Sequence, residues 1–236
     1  MGGKLNYNLL KSEFDKQREC SFKSHHELIF DILANHIITL ELPPQCVLQE
    51  SQLAKYFDVS RTPIRQALIK LEESDFVTSI PNRGYQVNDI DISNFKDLSM
   101  LRLSIECVAA QQAASRATVE QLLVLENILE QMKAHQSSPL NDKMKLFVNL
   151  ESQFHNSLCL MSQNTYLIQL YDKIAPKLLH LRYFYSHRND LNVDSQIMLS
   201  MYEEHLIIYL AIKSRNPTLA YEAVRQHISR LLHGLD

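Results

Sequence analysis

The chain has 236 residues, 45% of them apolar and 22% charged, with a formal net charge of -3. That length allows one large or two modest domains with real cores, and the composition is that of an ordinary soluble protein. No apolar run approaches the ~18 residues of a membrane span, and the first residues lack the apolar core of a secretory signal. The four cysteines (Cys20, Cys46, Cys107, Cys159) have no paired spacing. A cytoplasmic protein with reduced thiols and no cysteine-built metal site is expected.

Residues 1–24 are polar and charged without a clear period, and read as a flexible extension. Leu28, Ile29, Ile32, Leu33, His36 and Ile37 then form an apolar stripe on a first long helix. Glu50–Phe57 reads as a short helix and Asp58-Val59 as a tight turn. The next helix runs from Ser60 to Glu72. Ser60 can cap it, because a hydroxyl accepts from free N–H groups of the first turn. Pro63 is tolerated there, where its missing N–H has no intrahelical partner. Ile64, Ala67, Leu68 and Leu71 share one face, while Arg61, Thr62 and Arg65 crowd the N-terminal end of the other. A helix that reads the major groove carries its contacts at that end.

Phe76–Ile80 and Tyr85–Val87 read as two strands around the turn Pro81-Asn82-Arg83-Gly84. Three helices and a hairpin make a winged helix-turn-helix over residues 25–88, with Arg83 and Gly84 at the wing tip. The candidate DNA contacts are therefore Ser60, Arg61, Thr62, Arg65, Arg83 and Gly84. A small helical subdomain with no nucleic-acid role is the alternative. Charge bears on the choice: residues 1–88 hold 10 Lys or Arg against 11 Asp or Glu, hence -1. Nonspecific DNA binders are normally basic. Local clustering of Arg61, Arg65, Lys70 and Arg83 answers the objection, with two half-sites read by a homodimer.

At these residues the chain resembles a known family. Leu53-Ala54, then Val59 through Leu68, Leu71-Glu72, Pro81 through Gly84 and Val87 are similar to the N-terminal domain of GntR-family bacterial transcription regulators. The resemblance implies that Arg61, Thr62 and Arg65 contact a double-stranded operator and that the wing around Arg83 and Gly84 touches the minor groove. The chain departs from the family's pattern in three places. The turn Glu41-Leu42-Pro43-Pro44-Gln45 has no glycine, Asp75 stands where glycine is favoured, and Gln66 stands where Glu is commoner.

Residues 89–94 are short and polar and read as a linker. From about 95 to 234 the pattern is six helices, with breaks at 117–118, 136–139, 163–164, 187–190 and 215–217. The expected fold is thus mainly α, a winged helix-turn-helix followed by an all-α bundle. Three of the later helices carry ionisable groups on apolar stripes. Glu151 and His155 lie four apart between Phe147 and Leu158 and project side by side. His205 sits mid-stripe between Met198 and Ile212, and His227 between Ala220 and Leu231. Burying a carboxylate and three imidazoles is costly unless they satisfy one another. A divalent metal does so, with zinc fitting first and nickel or manganese also suited. Separately hydrogen-bonded core histidines are the other reading.

Here too there is a resemblance. Glu151-x-x-Phe154-His155, His205 followed by Ala211-Ile212, and Ala220 … Ala223-Val224-x-x-His227-Ile228 are similar to the FCD ligand-binding domain of the FadR subfamily. Leu101-Arg102-x-x-Ile105-Glu106 fits that domain's opening. The resemblance implies Glu151, His155, His205 and His227 as metal ligands, and a small organic acid as effector.

Arg102, on a stripe with Leu98, Leu101, Ile105, Ala109 and Gln112, is a candidate counter-charge for that acid, with Arg182 as a second. The alternative for Arg102 is a structural pair with Glu106 or Glu151. The expected protein is a transcription regulator rather than an enzyme, with repression relieved by effector as the expected sign. A metal-dependent hydrolase using the Glu/His₃ site and a metal-free dimerisation bundle are the competing readings.

Overall fold

The computed structural model describes residues 7–90, 93–134, 140–187 and 195–233. The chain divides into two compact units, Met1–Ile90 and Asp91–Asp236.

The first unit has four helices, α1 (Tyr7–Cys20), α2 (His25–Ile38), α3 (Glu50–Phe57) and α4 (Arg61–Glu73). Its three short strands are β1 (Val47–Leu48), β2 (Val77–Ile80) and β3 (Gly84–Val87). The strands form one antiparallel sheet in the order β1-β3-β2, with Val77 opposite Val87 and Ile80 opposite Gly84. The expected three helices and hairpin are present. The two-residue strand β1 is an addition, too short to leave a period in the sequence. The core is where the stripes placed it: Leu28, Ile29, Ile32, Leu33 and Ile37 of α2 are buried, as are Ile64, Ala67, Leu68 and Leu71 of α4.

The backbone turns without the family's glycines. Asp58 closes α3 with φ 55°, and Asp75 follows α4 with φ 60°. Short polar side chains visit this left-handed region most readily. Leu40 (φ 64°) and Gln45 (φ 65°) occupy it as well, at either end of the glycine-free turn. There the Leu42 N–H closes on the His36 carbonyl at 2.8 Å, and the Gln45 N–H reaches the Val87 carbonyl at 2.8 Å. These hydrogen bonds hold two residues in a conformation that costs roughly 1–2 kcal/mol each for side chains of this kind.

Residues 7–20 depart from the flexible extension expected for 1–24. They form α1, which packs on α2 and α3. Leu10 and Phe14 are buried, and the Phe14 ring meets the Phe57 ring edge-on with centroids 5.2 Å apart. His36 fastens the same helix, with its ring nitrogens 2.9 Å from the Glu13 carboxylate and 2.7 Å from that of Glu41. Two buried side chains four apart on a polar helix leave little periodic signal, which is why the sequence reads as unstructured.

The second unit is six helices: α5 (Ser93–Arg116), α6 (Val119–Ala134), α7 (Leu140–Met161), α8 (Thr165–His187), α9 (Ser195–Lys213) and α10 (Pro217–His233). All six expected helices are there. The break expected at 136–139 lies outside the described residues, as does that at 187–190 apart from His187, which ends α8. Helix α5 touches α7, α8, α9 and α10. Ala109, Ala110, Ala113 and Ala114 are buried on it, with Ala117 buried just past its end, and small side chains let neighbouring helices approach closely. In the two turns before the alanines α5 also carries the buried Arg102 and Glu106. Of the expected stripe for Arg102, Leu98, Ile105 and Ala109 pack together, Gln112 is half-buried, and Leu101 alone departs, being 52% exposed.

The packing of α1 makes a testable difference. Phe14→Ala should destabilise the first unit by about 3–5 kcal/mol, the range for truncating a buried aromatic ring. Denaturant titration read by hydrogen exchange in α2 and α3 checks it; an unattached extension would give a change under about 0.5 kcal/mol.

Candidate metal centre and nucleic-acid interface

Glu151 and His155 come from α7, His205 from α9 and His227 from α10, and all four side chains are buried. One ligand atom from each lies within 4.8 Å of the others. A point midway between the widest pair is then no more than about 2.4 Å from either, close to the roughly 2.0–2.2 Å bonds of zinc.

Each imidazole is held by its Nδ1. That of His155 lies 2.6 Å from Glu106 Oε2, that of His205 2.6 Å from the Met201 carbonyl, and that of His227 2.8 Å from Glu204 Oε2. Oxygen acceptors at Nδ1 place the proton there and leave the lone pair on Nε2. The Nε2 atoms of His155 and His205 face each other at 3.1 Å, and His227 Nε2 is buried without a hydrogen-bond partner. Three lone pairs thus converge with no proton among them. A cation satisfies them, and oxygen acceptors behind each imidazole are the usual support of a metal-binding histidine. The residues therefore fit a divalent ion.

The electrostatics agree. Burial, followed by the Arg102 cation, depresses His155 well below the ordinary imidazole range. Burial and the neighbouring His227 do the same to His205, and burial and Arg102 lower His227 to about 3. The imidazoles are neutral at pH 7, as ligands must be. Burial works to raise Glu151, but Arg182 and Arg102 outweigh it and hold the carboxyl below its usual value. The thiols stay outside this chemistry, since burial pushes Cys107 up to about 12.

Arg102 donates from Nε to Glu106 Oε1 at 2.7 Å, and its Nη2 lies 3.7 Å from Glu151 Oε1. The structural pairing with Glu106 is therefore real, and it leaves the guanidinium only partly used: Arg102 Nη2 has no hydrogen-bond partner. Arg182 approaches the same Glu151 oxygen at 3.3 Å, yet neither of its terminal nitrogens makes a hydrogen bond. The distance is that of an ion pair, and the alignment is not that of a hydrogen bond. Two arginines and two carboxylates cancel, so a divalent ion would leave the centre at a net charge of about +2. That excess, with buried N–H groups unpartnered, suits a small anion.

In the first unit the candidate DNA contacts lie on the surface. Ser60, Arg61, Thr62 and Arg65 are exposed at the start of α4, and Arg83 is exposed between β2 and β3. Arg61 and Arg83 line one groove of about 450 Å³ with Gln49, Ser51, Asn82 and Tyr85. Ser60 stands at the cap position, but its hydroxyl makes no capping bond. Gly84 is required by the backbone. Its φ is +101°, and a Cβ there would collide with the Leu48 carbonyl oxygen.

The FCD domain profile matches residues 97–230, and that of the gntR family of bacterial regulatory proteins matches residues 26–87. The chain belongs to the gntR family of bacterial regulators and carries an FCD domain.

The Escherichia coli (strain K12) transcriptional repressor RspR is 29% identical over 87% of this chain and 86% of its own length. The Nta operon transcriptional regulator of Aminobacter aminovorans is 27% identical over 78% and 81%. The E. coli repressor GlaR is 24% identical over 83% and 89%. The fold of E. coli McbR/YncC matches with a TM-score of 0.73 at 17% identity, over 91% of this chain and 99% of that one. FCD domains commonly bind a metal, and GntR regulators bind operator DNA. No described helix is long and apolar enough to cross a membrane.

Sequence reading named the regulator's four inner side chains and missed Glu204, which supports His227. Its signal is faint: a carboxylate beside His205 on α9, with Arg230 three residues after His227 on α10. The Arg230 guanidinium reaches Glu204 at 2.7 Å.

Buried neutral histidines set a pH dependence. An imidazole whose folded pKa is depressed contributes stability above the unfolded value near 6.5, and that stability is lost as pH falls below it. His227 at about 3 and His180, lowered by burial to about 4, place the window between roughly pH 6.5 and 3. Chelator-treated protein should lose up to about 1.4 kcal/mol per pH unit for each such group on acidification. Thermal melting between pH 7.5 and 5 checks this, and a flat profile would contradict the buried neutral assignment.

Proposed function

We propose that this regulator is a cytoplasmic repressor that binds double-stranded operator DNA as a homodimer and is controlled by a small organic acid held beside a divalent metal. Arg61, Thr62 and Arg65 read the major groove, Ser60 sits at the helix entry, and Arg83 reaches the minor groove from a wing shaped by Gly84. Glu151, His155, His205 and His227 hold the ion, zinc by its fit to three imidazoles and a carboxylate, with nickel or manganese suited to the same set. Arg102 and Arg182 receive the acid. The ion supplies positive charge and open coordination positions for a carboxylate when bound.

The observation that carries the metal reading is the convergence of three imidazole lone pairs with Nδ1 already committed. It also disfavours a metal-free dimerisation bundle, because each unsatisfied buried polar atom costs about 1–3 kcal/mol. The hydrolase reading loses its support because the family consists of transcription regulators. The repressor sign is supported by the relatives RspR and GlaR, both described as repressors. Acid binding and operator binding at separate sites are coupled by a free energy that each ligand feels equally.

Band-shift titration on the DNA upstream of the regulator's own gene tests the assignment. Arg65→Ala should weaken binding at least tenfold, about 1.4 kcal/mol or more for a lost base contact. His205→Ala should keep DNA binding while losing the response to a panel of small carboxylates. Unchanged binding in Arg65→Ala would remove α4 from the interface.

A further inference from the structure

The geometry points to Glu106 as the positioning residue that ties the anion-recognising arginine to the metal centre. Its two carboxylate oxygens are divided between them. Oε1 accepts from Arg102 Nε at 2.7 Å, and Oε2 accepts from His155 Nδ1 at 2.6 Å. The group is fully buried, so its surroundings screen neither bond. Two donors on opposite oxygens require a carboxylate, since an amide offers only one acceptor oxygen. One side chain thereby aims Arg102 Nη2 toward Glu151 and turns His155 Nε2 toward the other imidazoles.

The contrast with Glu204 sharpens the inference. Glu204 also joins an arginine to an imidazole, accepting from Arg230 at 2.7 Å and from His227 Nδ1 at 2.8 Å. There the arginine is half exposed and also donates to Ser200. Solvent screens that connection. Among the described residues, two chains of hydrogen bonds thus run from an arginine through a carboxylate to an imidazole Nδ1, one opening to water and one turned inward. Only the inward chain begins at a guanidinium with buried N–H groups unused. Whatever draws on Arg102 changes how much of Glu106 is left for His155, and hence the basicity of that ligand.

The inference rests on the metal reading above and is tested with zinc alone. Zinc affinity is measured by chelator competition on the full-length protein in a double-mutant cycle of Arg102→Gln and Glu106→Gln. Glu106→Gln should weaken zinc about 10–100-fold. Arg102→Gln should strengthen it several-fold, by freeing Glu106 for His155, and should have less than about a twofold effect in the E106Q background. The control Arg230→Gln should change little, because its chain is screened by water.

An Arg102→Gln effect of equal size in both backgrounds would show the arginine acting through space and overturn the link. If near-UV circular dichroism shows E106Q unfolded, Arg102→Lys takes its place. It keeps the charge and removes the Nε–H that Glu106 accepts. A several-fold shift supports the link, and wild-type affinity overturns it. Wild-type protein that takes up no zinc defeats the metal reading and this inference together, whereas zinc binding with an additive cycle defeats the link alone.

Discussion

The second unit has to keep two guanidinium groups, two carboxylates and three imidazoles out of water around one point. Charges buried this way are stable only when each has a partner. The bundle supplies most of the partners itself: Glu106 for Arg102 and His155, Glu151 for Arg102 and Arg182, Glu204 for His227 and the Met201 carbonyl for His205. What it leaves over is of two kinds: imidazole lone pairs turned inward, and guanidinium N–H groups without acceptors. A cation answers the first and an anion the second. The free energy available from a structural zinc, roughly 10–16 kcal/mol, exceeds the few kcal/mol that unsatisfied buried polar groups cost. The alanines of α5 make this arrangement possible, because they draw α7, α9 and α10 close to one helix whose middle turns carry Arg102 and Glu106.

The first unit works under a different constraint. Its charge is nearly balanced, so DNA affinity must come from placement. The groove shared by Arg61 and Arg83 brings two cations from distant points of the sequence to one surface. Phosphate contacts are additive in number, so a domain with few of them gains most from a second copy. The rigidity of α4 and the wing then matters. Gly84 sets the wing by its positive φ, and the bonded turn from Leu40 to Gln45 fixes the strand that β3 pairs with. Helix α1 adds to this rigidity by covering Phe57 at the end of α3.

Much of this was legible in the sequence. The stripes of α2 and α4 and the ionisable positions in the apolar stripes of α7, α9 and α10 identified the core and the four converging side chains. Period and burial are tied together in long helices, so those readings were secure. The failures have physical reasons. Helix α1 holds its place with Leu10, Phe14 and a Glu13–His36 hydrogen bond across 23 residues, and none of these makes a period. Strand β1 is two residues long. Leu101 was misplaced on the Arg102 stripe because an apolar side chain next to a core face looks like part of it, whereas Leu98, Ile105 and Ala109 do pack together there. Glu204 was missed because its partnership depends on the spacing between two helices.

The most direct measurement is the metal content of the full-length protein purified without a histidine tag, read by inductively coupled plasma mass spectrometry. One divalent ion per chain is expected, removed by chelator, restored on adding zinc and absent from His205→Ala. Protein that carries no divalent ion and takes none up would contradict the account, and the convergence of Glu151, His155, His205 and His227 would then be a feature of core packing alone.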